Sequence, residues 1–209
     1  MSEPPFHVLL GPDGAGKSSV LSRLAERLPE WRAVSTDDAF VPPEHRLVSR
    51  LRRDVVHDVL PGLGPSYSVD FLASLLQTAV VYLKDRIQSQ PPTQPLLVDS
   101  YYYKILAKCR LAGIDANPMY TWWRGFPQPR SVIYLAVSPA TAWRRTQRPE
   151  GLNTLEHFGD SPVWASFESY QRSLHKLMLE EVRGLPVTIV EERPGVERTV
   201  DAVLEAISE

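Results

Sequence analysis

The sequence predicts an α/β fold, a parallel sheet covered by helices on both faces. Three observations predict it. Short apolar runs alternate along the chain with segments of helical period. A glycine-rich segment, Gly11-Pro12-Asp13-Gly14-Ala15-Gly16-Lys17-Ser18, joins the first such run to the first helical segment. Asp13, Asp37 and Asp99 each fall just past a predicted strand, at the sheet rim where ligands bind in this architecture. A length of 209 residues suits a single domain covering 1–209.

The elements follow in order. Phe6 to Leu10 is an apolar run ending at a glycine and reads as a buried strand. From Lys17, Val20, Leu21, Leu24 and Leu28 share one helical face, and Pro29 ends it. Trp31 to Ser35 reads as a second strand leading to Thr36, Asp37 and Asp38. Arg46 to Leu60 reads as a charged helix, broken at Pro61-Gly62-Leu63-Gly64-Pro65. Phe71, Leu72, Leu75, Leu76, Ala79, Val80, Leu83 and Ile87 form a strong helical stripe. Leu96-Leu97-Val98 is a strand ending in Asp99, and Ser131 to Val137 is the next. Pro139 opens a basic helix with Arg144, Arg145 and Arg148. Trp164, Phe167, Tyr170, Leu174, Leu177 and Met178 mark a long helix. Pro186 to Val190 is the last strand, and Val196 to Ile207 the last helix.

Composition narrows the function classes. Apolar residues at 43% and charged residues at 23% are an ordinary globular mix. A formal net charge of −2 gives no global field for nucleic acid or a membrane surface, and neither is expected as a partner. No apolar stretch approaches the roughly 20 residues of a membrane span. No basic region followed by an apolar run marks a signal peptide, so a cytoplasmic location is the default. The single cysteine, Cys109, excludes an intrachain disulfide and reads as a core residue. The five histidines show no metal-ligand spacing.

The glycine-rich segment carries the chemistry. In a strand–loop–helix context it is a P-loop, whose backbone N–H groups wrap phosphates at a helix N-terminus. Gly11, Asp13, Gly14, Ala15, Gly16, Lys17, Ser18 and Ser19 are the nucleotide-binding candidates. Lys17 reaches the β- and γ-phosphates, and Ser18 is a ligand for Mg²⁺. Asp99 either serves the metal and the acceptor hydroxyl or caps the next helix. Arg144, Arg145 and Arg148 either clamp phosphoryl oxygens or form a solvated basic face. Asp37 is a candidate base, with a turn role as its alternative. Tyr101, Tyr102, Tyr103, Trp122, Trp123 and Phe126 either stack on a flat acceptor or pack the core.

These residues resemble the thymidylate kinase family of nucleotide kinases. The carriers are Asp13-Gly14-Ala15-Gly16-Lys17-Ser18-Ser19, and Tyr134-Leu135-Ala136-Val137-Ser138-Pro139 followed by Arg144, Arg145 and Arg148. Leu152-Asn153-Thr154-Leu155-Glu156 sits where the family's lid ends, and Phe167 and Tyr170 follow. The resemblance implies a five-stranded parallel sheet, a small lid over about 140–160, ATP as donor and Mg²⁺ as its metal, held by Ser18 and Asp99. It also implies that Asp13 lies near a sugar hydroxyl of the acceptor, and that donor adenine lies near Arg193 and Pro194.

The acceptor side departs from the family pattern. Asp99-Ser100-Tyr101 stands where the family has Asp-Arg-Tyr, whose arginine grips the acceptor phosphate. Thr36-Asp37-Asp38-Ala39 replaces a Thr-Arg-Glu-Pro segment, and Ser74 and Thr78 fall where a phenylalanine and an arginine read thymine. The expected activity is ATP-dependent transfer of the γ-phosphate to a small-molecule acceptor, a nucleotide- or nucleoside-like compound or another hydroxyl compound of specialised metabolism. Thymidine monophosphate is expected to be a poor acceptor unless Arg50, Arg53 or Lys104 replaces the missing cation. The rival is an ATPase switch acting on a protein partner. A homodimer and a monomer both remain open.

Overall fold

A computed structural model of the chain describes residues 4–146 and 151–208. Five strands, β1 (Phe6–Leu10), β2 (Arg32–Val34), β3 (Leu96–Asp99), β4 (Ser131–Leu135) and β5 (Val187–Val190), form one sheet in the order β2-β3-β1-β4-β5. Every pairing is parallel. The helices are α1 (Lys17–Arg27), α2 (Arg46–Asp54), α3 (Val69–Gln88), α4 (Tyr103–Leu111), α5 (Pro118–Arg124), α6 (Pro139–Arg145), α7 (Trp164–Glu181) and α8 (Val196–Ser208).

The alternation of side chains along each strand divides the core in two. Val8 and Leu10 of β1, Leu96 and Val98 of β3, and Val132 and Tyr134 of β4 face a cluster completed by α3, α4 and α7. Leu9, Leu97, Ile133 and Leu135 face the opposite cluster, completed by α1 and α8. Both faces being covered explains why these strands are apolar without interruption. A third, smaller cluster joins Val55, Val59, Leu60, Leu72 and Leu155 beside the sheet.

The topology fixes where the site must be. From β1 the chain crosses to β2 at one edge, while β4 lies on the other side of β1. The C-terminal end of β1 is therefore the switch point of the sheet. The register pairs Leu9 with Asp99 and Leu10 with Tyr134, so the loop after β1 leaves the sheet beside the end of β3.

Local chemistry sets the helix starts. Ser68 accepts from Phe71 N at 3.1 Å, Asn117 from Met119 N at 2.9 Å and Ser138 from Thr141 N at 3.1 Å, each capping α3, α5 and α6. Helix α1 differs: Gly16 occupies its N-cap with no side-chain cap, leaving first-turn N–H groups for a ligand.

Three differences from the sequence reading have physical causes. The helix expected over Arg46 to Leu60 is α-helical only to Asp54, then becomes a π turn at Val55–Val59 and a 3₁₀ turn at Leu60–Gly62. Pro61 has no N–H to offer the carbonyl of His57, and Val55 and Val56 are β-branched, so the α ladder does not continue. The strand expected to run to Val137 ends at Leu135, although Ala136 N still donates to Val190 O at 2.9 Å. Helix α5 falls inside the aromatic-rich segment, where rings on every side hid a helical period.

Candidate active site

The loop between β1 and α1 is shaped by its glycines. A Cβ at Gly11 would lie 2.9 Å from Leu135 O, so β4 admits only glycine there. Gly16 has φ 86°, a left-handed conformation that turns the chain into α1 without strain. Lys17, the first residue of α1, folds back over this loop. Its ammonium donates to Gly11 O at 3.1 Å and Pro12 O at 3.2 Å. Burial lowers its pKa to about 7, with Lys104 adding repulsion and Asp99 and Asp13 opposing.

Asp13 is the centre of a charge cluster. Lys104 Nζ lies 2.5 Å from Oδ1, and Lys108 Nζ lies 2.9 Å from Oδ2, all three side chains being largely buried. Burial alone would raise the carboxyl's pKa; Lys104, Lys108 and Lys17 outweigh it and hold the group well below the usual carboxylate range. Burial likewise depresses Lys104, and Asp13 more than reverses that. The two lysines stand one turn apart on α4, so they present both ammoniums to one carboxylate.

A second polar string runs along the rim. Ser18 Oγ donates to Asp37 Oδ2 at 3.1 Å. Buried Ser35 donates to Asp99 Oδ2 at 2.9 Å and accepts from Asp37 N at 3.1 Å. Ser100 Oγ donates to Asp99 Oδ1 at 2.9 Å. Ser35 thus fixes the Asp99 carboxylate and the backbone of Asp37. Ser100 and Tyr101 have φ of 57° and 46°, uncommon for residues with side chains. Ser100 N donates to Leu9 O at 3.0 Å, which holds this turn against β1 and aims Asp99 at the loop.

Two recesses flank the loop. One is a cavity of about 480 Å³. Its polar end gathers Asp13 to Ser19, Asp37, Asp99, Lys104, Lys108, Asn153 and Glu156. Its far end is walled by aliphatic side chains of α2, the π turn and α3. The other recess is open and gathers Thr141, Arg144, Arg145, Glu192, Arg193, Pro194 and Gly195. Arg145 joins the two, since its Nη1 donates to Gly14 O at 2.9 Å. Arg144 Nη2 donates to Thr141 Oγ1 at 2.7 Å. The third arginine read from the sequence, Arg148, lies outside the described residues.

The aromatic clusters resolve toward packing. Tyr101, Tyr102 and Tyr103 are buried in mutual ring contact, and Trp123 and Phe126 are buried as well. Trp122 is half exposed, edge-on to Phe126, and lies outside both recesses. Cys109 is buried, and burial pushes its thiol up to about 12, which fits its reading as a core residue. Of the replacement cations considered, Lys104 is in the cavity, while Arg53 faces Asp38 at 3.5 Å on the surface. Lys108 and Ser35 were not anticipated. The Lys104-to-Lys108 spacing, one helical turn beyond a rim aspartate, was the available signal.

No protein-family model matches the sequence, and no curated protein matches it by sequence. Solved structures do match. The thymidylate kinase of Candida albicans aligns over 100% of this chain and 92% of its own, with TM-score 0.67 and 16% identity. The deoxyadenosine kinase of M. mycoides with bound dATP aligns over 98% and 100%, with TM-score 0.63 and 15% identity. The same enzyme with the products dCMP and dCDP covers 97% and 98%, again at TM-score 0.63 and 15% identity. The fold is that of the P-loop nucleoside and nucleotide kinases. Within that kinase fold, the arrangement of the loop, the rim carboxylates and the two recesses belongs to this chain's own residues.

The residues fit a hydrated divalent cation. Among the described residues no group of three or more His, Cys, Asp or Glu side chains forms a metal cage. A hydroxyl and a carboxylate do meet beside the loop, at Ser18 and Asp37, with Asp99 linked through Ser35. Mg²⁺ keeps several waters and takes one or two carboxylates plus phosphate oxygens, so an oxygen-only donor set of this size suits it.

Proposed function

We propose that the chain is an ATP-dependent phosphotransferase that moves the γ-phosphate of ATP to a small molecule held in the cavity beside the P-loop. The observation that supports this best is positional. The loop carrying Lys17 and Ser18 lines a cavity with carboxylates at its polar end, and Arg145, which lines the open arginine recess, donates to Gly14 O of that same loop at 2.9 Å. Donor and acceptor can thus meet in line across Lys17, and such placement supplies most of the catalysis in phosphoryl transfer. The deoxyadenosine kinase and thymidylate kinase folds support the same assignment.

Each residue then has a role. The loop N–H groups and the N-terminus of α1 hold the phosphate chain. Lys17 leaves the carbonyls of Gly11 and Pro12 and sets its charge against the transferring group. Ser18 with Asp37 and Asp99 would hold Mg²⁺, which supplies neutralisation of phosphate charge when bound. Asp99, fixed by Ser35 and Ser100, takes the proton of the acceptor hydroxyl. Arg145 and Arg144, with Arg148 beyond them, neutralise the donor phosphates. Arg193 and Pro194 border the donor base.

The test is a coupled assay for ADP with the purified chain, Mg²⁺ and ATP, over nucleosides, nucleoside monophosphates and hydroxylated metabolites. ADP release that depends on a small molecule, with a phosphorylated product seen by mass spectrometry, supports the proposal. Steady ATP hydrolysis indifferent to every metabolite, but stimulated by a protein, would establish the switch reading instead. A cavity of about 480 Å³ with an aliphatic end beyond the P-loop favours the first outcome, because a switch has no use for it.

A further inference from the structure

Resting on the phosphotransferase reading, we infer that the acceptor is an alcohol with an aliphatic body, whose hydroxyl sits at the carboxylate end of the cavity and whose hydrocarbon fills the other. The wall away from the P-loop is made by Leu51, Val55, Leu60, Leu76, Ile105 and Leu155, each from a different element or loop of the chain. Three of them, Val55, Leu60 and Leu155, belong to the apolar cluster beside the sheet. A nucleobase needs its edges read by hydrogen bonds and its face stacked on a ring. Thr78, on the α3 wall, has its hydroxyl committed to Leu75 O at 2.6 Å. Tyr101 is the one aromatic side chain in the lining among the described residues, and its ring is 1% exposed and packed on Tyr102, Tyr103 and Phe6. A base placed here would leave its polar edge against leucine and valine, which costs binding.

The polar end selects the head group. Lys104 and Lys108 are both occupied by Asp13, and Asp37 and Asp99 bring two further carboxylates. Lys17 serves the donor, the cavity's remaining cation, Arg52, donates to Thr36 O at 3.4 Å, and a dianionic phosphate there would lie among the carboxylates of Asp13, Asp37, Asp99 and Glu156. A neutral hydroxyl meets an acceptor for its proton in Asp99. The step balances simply. The alcohol oxygen forms a bond to the γ-phosphorus of ATP as the bond from that phosphorus to the β,γ-bridging oxygen breaks. The hydroxyl proton passes to Asp99 and then to water, leaving an alkyl phosphate and ADP.

The experiment measures kcat/KM for the full chain with Mg²⁺ and ATP. The acceptors are ethanol, n-butanol, n-hexanol and n-octanol, beside thymidine, thymidine monophosphate and n-octyl phosphate. ATP binding is followed separately by its shift of the melting temperature. The expected result is a rise of roughly fourfold per added methylene (about 0.8 kcal/mol each) until the cavity is filled, with both thymidine compounds below n-octanol. Leu76→Asn should keep the ATP-induced melting shift and lower kcat/KM for n-octanol by about tenfold or more, flattening the series. Turnover of thymidine or its monophosphate with a flat alcohol series would overturn the inference and leave the phosphotransferase reading standing. Preference for n-octyl phosphate over n-octanol would overturn the hydroxyl assignment. No transfer to any acceptor and no melting shift with ATP would sink both readings, while a shift with no transfer to the alcohols would sink this one.

Discussion

The two recesses linked by the contact of Arg145 with Gly14 are built in opposite ways. The donor side is local and charged: nine consecutive residues of one loop and helix start, with Arg144 and Arg145 brought over it by a short helix. The acceptor side is dispersed and largely aliphatic, with lining from α2, the π turn, α3, α4 and the segment around Leu155. On the proposed assignment, the phosphate-holding backbone comes from one unbroken peptide, Gly11 to Ser19. The choice of acceptor is left to side chains that meet only after folding. Each prediction below strikes one side of that contrast, beginning with the largest effect.

Lys17→Ala should lower phosphoryl transfer by on the order of 10²–10³-fold, because a charge aimed at the transferring group is lost from a partly enclosed site. Lys17 contributes little packing, its polar contacts being to the loop's own carbonyls. An unchanged circular dichroism melt with lost turnover is expected. Turnover near that of the unmodified chain would show that the donor side does not work as a P-loop.

Asp13→Asn strikes the seam between the two sides. It leaves Lys104 and Lys108 buried against each other with no counter-charge, which should cost roughly 3–5 kcal/mol of folding stability. Urea unfolding reads it directly. Adding Lys108→Met to the same variant should recover part of the loss, and strictly additive effects would show that the cluster is not coupled.

Arg145→Ala should act on turnover with little change in overall stability. The side chain is exposed and touches the loop through one carbonyl, at Gly14. A fall of about tenfold in kcat at saturating ATP is expected, roughly the share of one charge-assisted contact made in the transition state. A rise in KM for ATP with kcat intact would instead make Arg145 a ground-state binding residue.

The smallest effect concerns Cys109, on the helix that supplies the two acceptor-side lysines. Its thiol is held up to about 12 by burial, so it should stay neutral and unreactive toward a thiol-labelling reagent at pH 8 in the native chain. The linked stability is present below the unfolded thiol's pKa and is lost as pH rises through that value toward 12, since only the unfolded chain can then ionise. Rapid native-state labelling would show that α4 opens readily and that this wall of the cavity is mobile.

The same contrast governs what the sequence disclosed. Strand order could not be read, but the strands themselves could, because each is a short apolar run ended by a rim residue: Gly11, Asp99, and Ser35 after Val34. The P-loop was legible because its spacing is its geometry. Asp37 was singled out as a base or turn residue, and the structure puts it against Ser18, a relation that depends on where β2 lies relative to β1. Lys108 stands one helical turn after Lys104, but that spacing alone does not separate it from a solvated lysine, and the packing of α4 near the loop turns it toward Asp13. The tyrosine triplet looked equally suited to stacking or packing, and the left-handed turn at Ser100 and Tyr101 decides for the core.

The π turn at Val55–Val59 has a consequence for how this cavity can change between related chains. A π turn is an α-helix carrying one extra residue. Deleting a single residue there would restore regular α-helix while the side chains on either side kept their facing, because the wide turn absorbs the extra residue locally. Only the side chains that the turn itself presents, from Val55 to Val59, would change along the cavity wall. No catalytic atom near Lys17 would move. The length of this one segment is therefore a dial that reshapes a single turn of the cavity wall in one genetic step and leaves the helix before it in register.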